Sequence, residues 1–263
     1  MSKNYKHVAR KRFGQNFLVD TFIIDSIVAA LNLQGDDEVV EIGPGQAAIT
    51  DLIVEQCAKL DLVELDRDLI PILQEKFSTR EQVTIHQHDA LKFDYKTLYR
   101  DKKLRLVGNL PYNISTPLIF HLFDNIDLFL DMHFMLQKEV VERMCASVNS
   151  KAYGRLSIMT QYYCDTEMLF EVPPEAFDPR PKVTSAIISL QPRMQREDVD
   201  VSLLNKVVTS AFNMRRKNLR NALKTFLQAE DFAHLELNDQ ARPENLSLDD
   251  YIRITQFLQA VKE

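Results

Sequence analysis

The sequence predicts an α/β protein, a mainly parallel, doubly wound sheet with a closing antiparallel pair, followed by a small all-helical domain. Three observations predict it. Short apolar runs alternate with segments of helical periodicity between residues 20 and 136, the pattern of βαβ units. A glycine-rich turn, Gly43-Pro44-Gly45, directly follows one of those runs. Beyond Pro192, strand signals stop and only helical spacing remains.

Asp20 is a suitable N-cap for a helix whose apolar face is Ile23, Ile24, Ile27, Val28 and Leu31. After the Gly35-Asp36-Asp37 turn, Val39–Ile42 reads as a strand that runs into Gly43-Pro44-Gly45, and the segment up to Cys57 reads as a helix. The alternation continues with Asp61–Leu65 as strand, Arg67–Phe77 as helix, and Val83–His86, Leu104–Gly108 and Met132–Leu136 as strands. Glu167–Val172 and Thr184–Leu190 break the alternation on either side of the proline-rich stretch 173–181, and form the expected antiparallel pair. The polar run Arg193–Asp200 reads as a linker. After it, Leu203, Leu204, Val207, Val208, Ala211 and Phe212 trace one helix face, and Leu219, Ala222, Leu223, Phe226 and Leu227 another. Ser247-x-x-Asp250 can cap a last helix. The expected organisation is a basic arm over residues 1–19, a sheet domain over 20–192 and a helical domain over 200–263.

The balance of 45% hydrophobic and 27% charged residues excludes disorder, collagen-like sequence and a coiled-coil rod. No stretch approaches the roughly 18 uninterrupted apolar residues of a spanning helix, and no apolar leader opens the chain. The three cysteines, Cys57, Cys145 and Cys164, form no C-x-x-C pair, which fits a reducing compartment; the expected location is the cytoplasm, without membrane or metal. His86-Gln87-His88-Asp89 resembles a ligand cluster in composition only, because adjacent strand-end positions point in different directions.

Net charge is −6, but it is unevenly spread. Lys3, Lys6, Arg10, Lys11 and Arg12 stand without an acid in residues 1–19, and Lys206, Arg215, Arg216, Lys217, Arg220 and Lys224 stand without one in residues 203–229. Those eleven cations leave −17 on the remainder. Local basic clusters of this kind neutralise phosphates while an acidic bulk resists indiscriminate adhesion. Arg216, Arg220 and Lys224 fall at i, i+4 and i+8 of an expected helix, beside its apolar residues. A solvated helix flank is the plain alternative.

Two constellations carry chemistry. In the first, Glu41-Ile42-Gly43-Pro44-Gly45 ends a strand, and Glu64 ends the next one. Glycines at that position let a ligand approach the backbone, and the acid can accept from both ribose hydroxyls, so a nucleoside-containing cofactor is implied. Ala48 stands where a dinucleotide fingerprint has its third glycine, and a tight turn of any α/β protein would look similar. Asp89, after the third strand of the series, can receive the amino group of an adenine, or cap a surface turn. The second constellation is Gly108-Asn109-Leu110-Pro111-Tyr112. An exocyclic purine amine is a poor nucleophile because its lone pair is delocalised into the ring. The Asn109 side-chain oxygen and the Leu110 carbonyl, held by the proline after it, can accept its N–H bonds and aim the lone pair at an electrophile. Tyr112 offers a stacking face worth on the order of 1–3 kcal/mol.

Taken with Phe13-Gly14-Gln15-Asn16-Phe17-Leu18, Asn113-Ile114-Ser115, Tyr153-Gly154-Arg155-Leu156, Phe177-x-Pro179-x-Pro181-Lys182-Val183 and Arg215-Arg216-Lys217-x-Leu219-Arg220-Asn221, these motifs closely resemble the KsgA-type small-subunit ribosomal RNA adenine dimethyltransferases, relatives of the macrolide-resistance rRNA methyltransferases. The resemblance spans nearly the whole chain, with no departure at a motif position. It implies a class I (Rossmann-like) methyltransferase sheet with a small helical C-terminal domain. It also implies an enzyme that uses S-adenosylmethionine to dimethylate N6 of two adjacent adenosines in a hairpin loop near the 3′ end of 16S rRNA, in the immature small ribosomal subunit. On that resemblance Asn16 and Leu18 contact the cofactor, Gly43 sits against its methionine part, Glu64 holds the ribose and Asp89 lies near its adenine. Asn109 lies between cofactor and target, and Phe177 stacks the target adenine opposite Tyr112. Arg10, Lys11, Arg12, Arg215, Arg216, Lys217 and Arg220 grip rRNA phosphates. A monomer is expected.

Three rivals compete. A large-subunit, macrolide-resistance methyltransferase shares the chemistry, but its C-terminal basic pattern differs from the Arg215–Asn221 motif. A non-catalytic assembly factor would need neither Glu64, Asp89 nor Asn109. A nicotinamide dehydrogenase leaves Asn109 to Tyr112, and the basic helical domain, without a role.

Overall fold

A computed structural model describes residues 16–261. Its centre is a seven-stranded sheet in the order β4-β3-β2-β5-β6-β9-β7. The strands are β2 (Glu38–Ile42), β3 (Lys59–Glu64), β4 (Val83–Gln87), β5 (Leu104–Asn109), β6 (Phe129–Gln137), β7 (Cys164–Val172) and β9 (Ser185–Pro192). β2 pairs in parallel with β3 and β5, β3 with β4, and β5 with β6, whereas β9 runs antiparallel to β6. Strands covered on both faces read as near-continuous apolar runs. Val39, Val40 and Ile42 of β2, and Leu104, Leu106 and Val107 of β5, are accordingly all buried.

A separate two-stranded ribbon joins β1 (Phe17–Leu18) to β8 (Phe177–Asp178), with Leu18 opposite Phe177. Two-residue strands carry no periodicity, so nothing in the proline-rich stretch announces this ribbon. It brings the segment after Asn16 to the sheet's core: Leu18 and Phe177 are buried with Ile23, Ile27, Val28 and Leu31 of α1 (Thr21–Leu31). The Asp20 side chain accepts from the Ile23 N–H at 3.1 Å, the expected N-cap.

The helix expected between Gly45 and Cys57 shrinks to the four residues of α2, Thr50–Ile53. Gly43, Gly45 and Ala47 have φ of +69°, +57° and +68°, left-handed values that no helix propagates. The chain can turn helical only beyond Ala47. The expected helix 67–77 likewise starts late, as α3 (Ile70–Lys76), with Pro71 in its first turn.

Gly108 is required by close approach. A Cβ there would lie 2.6 Å from the Ile42 carbonyl oxygen, so the ends of β2 and β5, one carrying the glycine turn and the other Asn109, come as near as a bare backbone allows.

The described chain forms two compact units. The first runs to Val141 and resumes over Glu167–Pro192; the second comprises Glu142–Thr166 and the residues from Arg193 onward. The second unit therefore takes in α6 (Arg155–Tyr163), which lies inside the span expected for the sheet domain. In that unit α6 meets α7 (Val201–Asn213), which in turn meets α8 (Leu219–Ala222) and α10 (Leu248–Ala260). Asp200 caps α7, and Ser247 with Asp250 forms the capping box of α10. No helix among the described residues is long and apolar enough to cross a membrane.

Candidate active site

The first unit holds a cavity of about 260 Å³ at the carboxyl ends of the parallel strands, where open α/β sheets bind ligands. Asn16, Leu18, Gly43, Glu64, Asp89, Asn109, Leu110 and Tyr112 all line it. Eight of the residues singled out from the sequence thus meet in one place.

Glu64 ends β3 with its carboxylate held on both oxygens. Oε1 accepts from the Asp66 N–H at 2.7 Å and Oε2 from the Gly45 N–H at 3.3 Å. Burial pushes its pKa up, and the two backbone donors partly oppose that. Asp89 makes a turn of its own, Oδ1 accepting from the Leu91 N–H at 3.0 Å, and stays half-buried.

Asn109 ends β5. Its Nδ2 donates to the Asn16 carbonyl at 3.0 Å. That bond assigns the two ends of the amide: nitrogen towards Asn16, and oxygen left as the acceptor. Leu110 is anchored by its N–H to the Met135 carbonyl at 3.2 Å. The hydroxyls of Tyr112 and Ser185 share a hydrogen bond of 2.7 Å, and burial pushes the Tyr112 phenol up, so it keeps its proton at neutral pH.

Phe177 does not join them. It is 3% exposed, lies in the core beside Leu18 and is absent from the cavity wall. Its backbone pairs with Leu18 in the β1–β8 ribbon, and the ring is buried in the core rather than set on the cavity wall opposite Tyr112. Packing holds Phe177 here.

The motif spacing gives no individual task to Glu41, Phe17 or Ser185. The Phe17 ring lies over the glycine turn: a Cβ at Gly45 would come within 3.2 Å of its edge. Glu41 is 2% exposed and lines the cavity, and the Thr50 hydroxyl donates to its Oε2 at 2.6 Å. Burial lifts its pKa from the ordinary 4.5 to about 7; the Thr50 hydrogen bond opposes this, and the negative charges of Asp51 and Glu64 add to it. Its place in Glu41-x-Gly43-x-Gly45 was the available signal, but spacing says nothing about burial.

A carboxyl raised on folding stabilises the folded state below pH 4.5, and that contribution is lost as pH rises through about 7. Glu41→Gln keeps an acceptor for Thr50 without the charge. Urea unfolding of the cofactor-free variant and parent should give equal stability near pH 4.5. The variant should gain about 3 kcal/mol above pH 7. A difference that is flat from pH 5 to 8 would contradict the burial argument.

The basic residues divide. Arg10, Lys11 and Arg12 lie outside the described residues. In the second unit Arg216 and Lys217 are exposed. Arg215 turns back, Nη2 donating to the Lys151 carbonyl at 2.8 Å with Nε 3.8 Å from Glu244. Arg220 lies 3.6 Å from Asp239. The expected helical row of Arg216, Arg220 and Lys224 does not form. The chain turns at Met214–Lys217, and Asn218 accepts from the Asn221 N–H at 3.2 Å to start α8 afresh. α8 then ends at Ala222, before Lys224. Among the described residues no group of three or more His, Cys, Asp or Glu side chains is placed to hold a metal ion.

A sheet with one reversed strand set between β6 and the edge, and a glycine turn facing an acid on the neighbouring strand end, defines a class I methyltransferase fold. A dimethyladenosine transferase from Plasmodium falciparum shares it, with a TM-score of 0.82 and 24% identity over 93% of this chain and 98% of that one. The 23S rRNA methyltransferase ErmE superposes with a TM-score of 0.74 and 21% identity over 93% and 100%. The sequence model described as ribosomal RNA adenine dimethylase matches residues 6–260, and the chain belongs to that family of enzymes. Among its relatives are proteins named Ribosomal RNA small subunit methyltransferase A. That of Coxiella burnetii (strain CbuG_Q212) is 52% identical over 95% of this chain and 97% of its own. That of Marinobacter nauticus is 53% identical over 98% and 94%.

Proposed function

We propose that this enzyme transfers methyl groups from S-adenosylmethionine to N6 of two adjacent adenosines in a hairpin loop near the 3′ end of 16S rRNA, in the immature small ribosomal subunit. The observation that carries the substrate is identity above 50%, end to end, with the small-subunit methyltransferases of Coxiella and Marinobacter.

The cavity suits the cofactor. The positive-φ glycines offer bare backbone in the cavity, Glu64 would hold ribose hydroxyls with its buried carboxylate, and Asp89 would receive an adenine amine. Asn16, Leu18 and Gly43 complete that wall. When bound, S-adenosylmethionine supplies a sulfonium methyl that is electrophilic without help from the protein.

What the chain adds is position. The Asn109 oxygen and the Leu110 carbonyl accept the N–H bonds of the target amine and turn its lone pair towards the donor. Tyr112 stacks on the base, and no general base is required, because methylation itself acidifies the amine, which then gives its proton to water. An rRNA loop lets the adenine leave its stack more cheaply than a duplex would. Arg216 and Lys217 on the second unit, with the arm carrying Arg10, Lys11 and Arg12, bind rRNA phosphates, an affinity that falls with salt and reads no sequence. Such an enzyme works in the cytoplasm, and a monomer suffices because one unit carries every residue of the cavity.

The test is methyl transfer from labelled S-adenosylmethionine to undermethylated small subunits, with naked large-subunit rRNA in parallel and nucleoside mass analysis of both. Dimethyladenosine is expected in the small-subunit RNA alone. Label in the large-subunit RNA would overturn the substrate, and binding to particles without transfer would make the protein an assembly factor.

A further inference from the structure

We propose that Ser185 is a positioning residue for methyl transfer, setting the plane of the Tyr112 ring from the first residue of β9. The inference rests on the function proposed above and concerns a residue outside the cavity wall.

Ser185 opens β9, opposite Gln137 at the end of β6. The Lys138 N–H donates to the neighbouring Thr184 carbonyl at 3.0 Å, so the backbone is tied on both sides of this point. The Ser185 side chain is wholly buried, and Ala186, Ile187 and Ile188 follow it into the core. A hydroxyl sealed from water in an apolar strand is costly unless it is bonded. Its bond is the 2.7 Å contact with the Tyr112 hydroxyl, 73 residues away in sequence.

Tyr112 needs such a tether. It lies in the loop between β5 and α4 (Ser115–Phe123), half-buried, with its ring on the cavity wall. A tyrosine ring has two side-chain torsions. Held only at Cα, it can tilt; held also at the phenol oxygen, it presents one plane. The loop reaches over the end of β6 to the first residue of β9, so the rigid sheet, rather than the loop, dictates where the base stacks. Dimethylation makes this strict, because the N6 lone pair must reach the same point twice, the second time with a methyl in place of one hydrogen.

The experiment compares the wild-type protein, Ser185→Ala, Tyr112→Phe and the double variant on undermethylated small subunits. It reads kcat, KM, cofactor affinity, melting temperature and the ratio of mono- to dimethyladenosine. Ser185→Ala should lower kcat on the order of tenfold and make N6-monomethyladenosine accumulate, with cofactor affinity and KM within twofold or so of wild type. Tyr112→Phe, which breaks the same bond from the other end, should give the same product ratio. The double variant should be no worse than Tyr112→Phe alone, since both changes remove one interaction. A merely structural serine would lower the melting temperature and leave the product ratio untouched. Wild-type rates and products from Ser185→Ala, or additive losses in the double variant, would overturn the proposal while leaving the enzyme's function standing. Wild-type protein that makes no dimethyladenosine would overturn the function, and this inference with it.

Discussion

Replacing Asn109 with alanine should cut turnover by about 10²- to 10³-fold, the effect of deleting one preorganised polar group from a reacting centre, while cofactor affinity changes only a few-fold. The asymmetry follows from where the side chain is held. The Asn109 amide is clamped through Nδ2 to the Asn16 carbonyl, and its oxygen therefore stands as an acceptor before any substrate arrives. In the proposed reaction that oxygen accepts from the target amine, whereas Glu64, Asp89 and the glycine turn line other parts of the cavity wall. Asn109→Asp separates the two roles of the amide. It retains an acceptor but sets a carboxylate against the Asn16 carbonyl, so it too should be slow. Single-turnover rates with saturating cofactor, beside calorimetric titration of S-adenosylmethionine and its demethylated product, measure both halves. Near-wild-type rates in Asn109→Ala would remove the amine-alignment role.

Asn109 also shows which parts of the site could be read in advance. Its position after an apolar run placed it on the carboxyl edge of the sheet, and Gly43, Glu64 and Asp89 followed from the same rule, because period and strand-end chemistry are local. β2, β4, β5 and β6 contain the runs that announced them, and β3 covers Asp61–Leu65 except its last residue. What was not legible depended on partners distant in sequence or on single backbone torsions. Ala47 gives no sign of its φ of +68°, and the helix expected through it is shortened to α2. Phe177 reads equally well as a stacking ring or as core, and its ribbon partner, Leu18, lies 159 positions earlier. The row of Arg216, Arg220 and Lys224 matched a helical period but spanned Asn218, whose side chain caps a new helix instead of continuing an old one. Ser185 has no neighbour in sequence to suggest Tyr112.

Arg105 is the strongest case of a residue hidden inside a legible strand, and its loss should be the most damaging to stability. It lies in β5 among apolar neighbours, 9% exposed. Nη1 meets Asp37 at 2.6 Å and Nη2 meets Asp131 at 2.6 Å, with Nε on Asp131 at 3.0 Å. The same guanidinium donates to the carbonyls of Leu31 and Asn32, at the C-terminal end of α1. Those carbonyls have no intrahelical donor and carry the negative end of the helix dipole. One cation therefore joins β2's entry turn, β5, β6 and α1. Arg105→Ala leaves two carboxylates facing an emptied space, and removing one partner of a buried ion pair costs about 3–5 kcal/mol, or roughly 10 °C in melting temperature for a protein of this size. The penalty comes mainly from the stranded acids rather than from the lost attraction. Adding Asp37→Ala and Asp131→Ala to Arg105→Leu should therefore recover much of the loss, an outcome opposite to simple accumulation of damage. Thermal unfolding of the single and triple variants distinguishes the two, and a triple variant less stable than Arg105→Ala would show that the network stabilises the fold by attraction and not merely by mutual neutralisation.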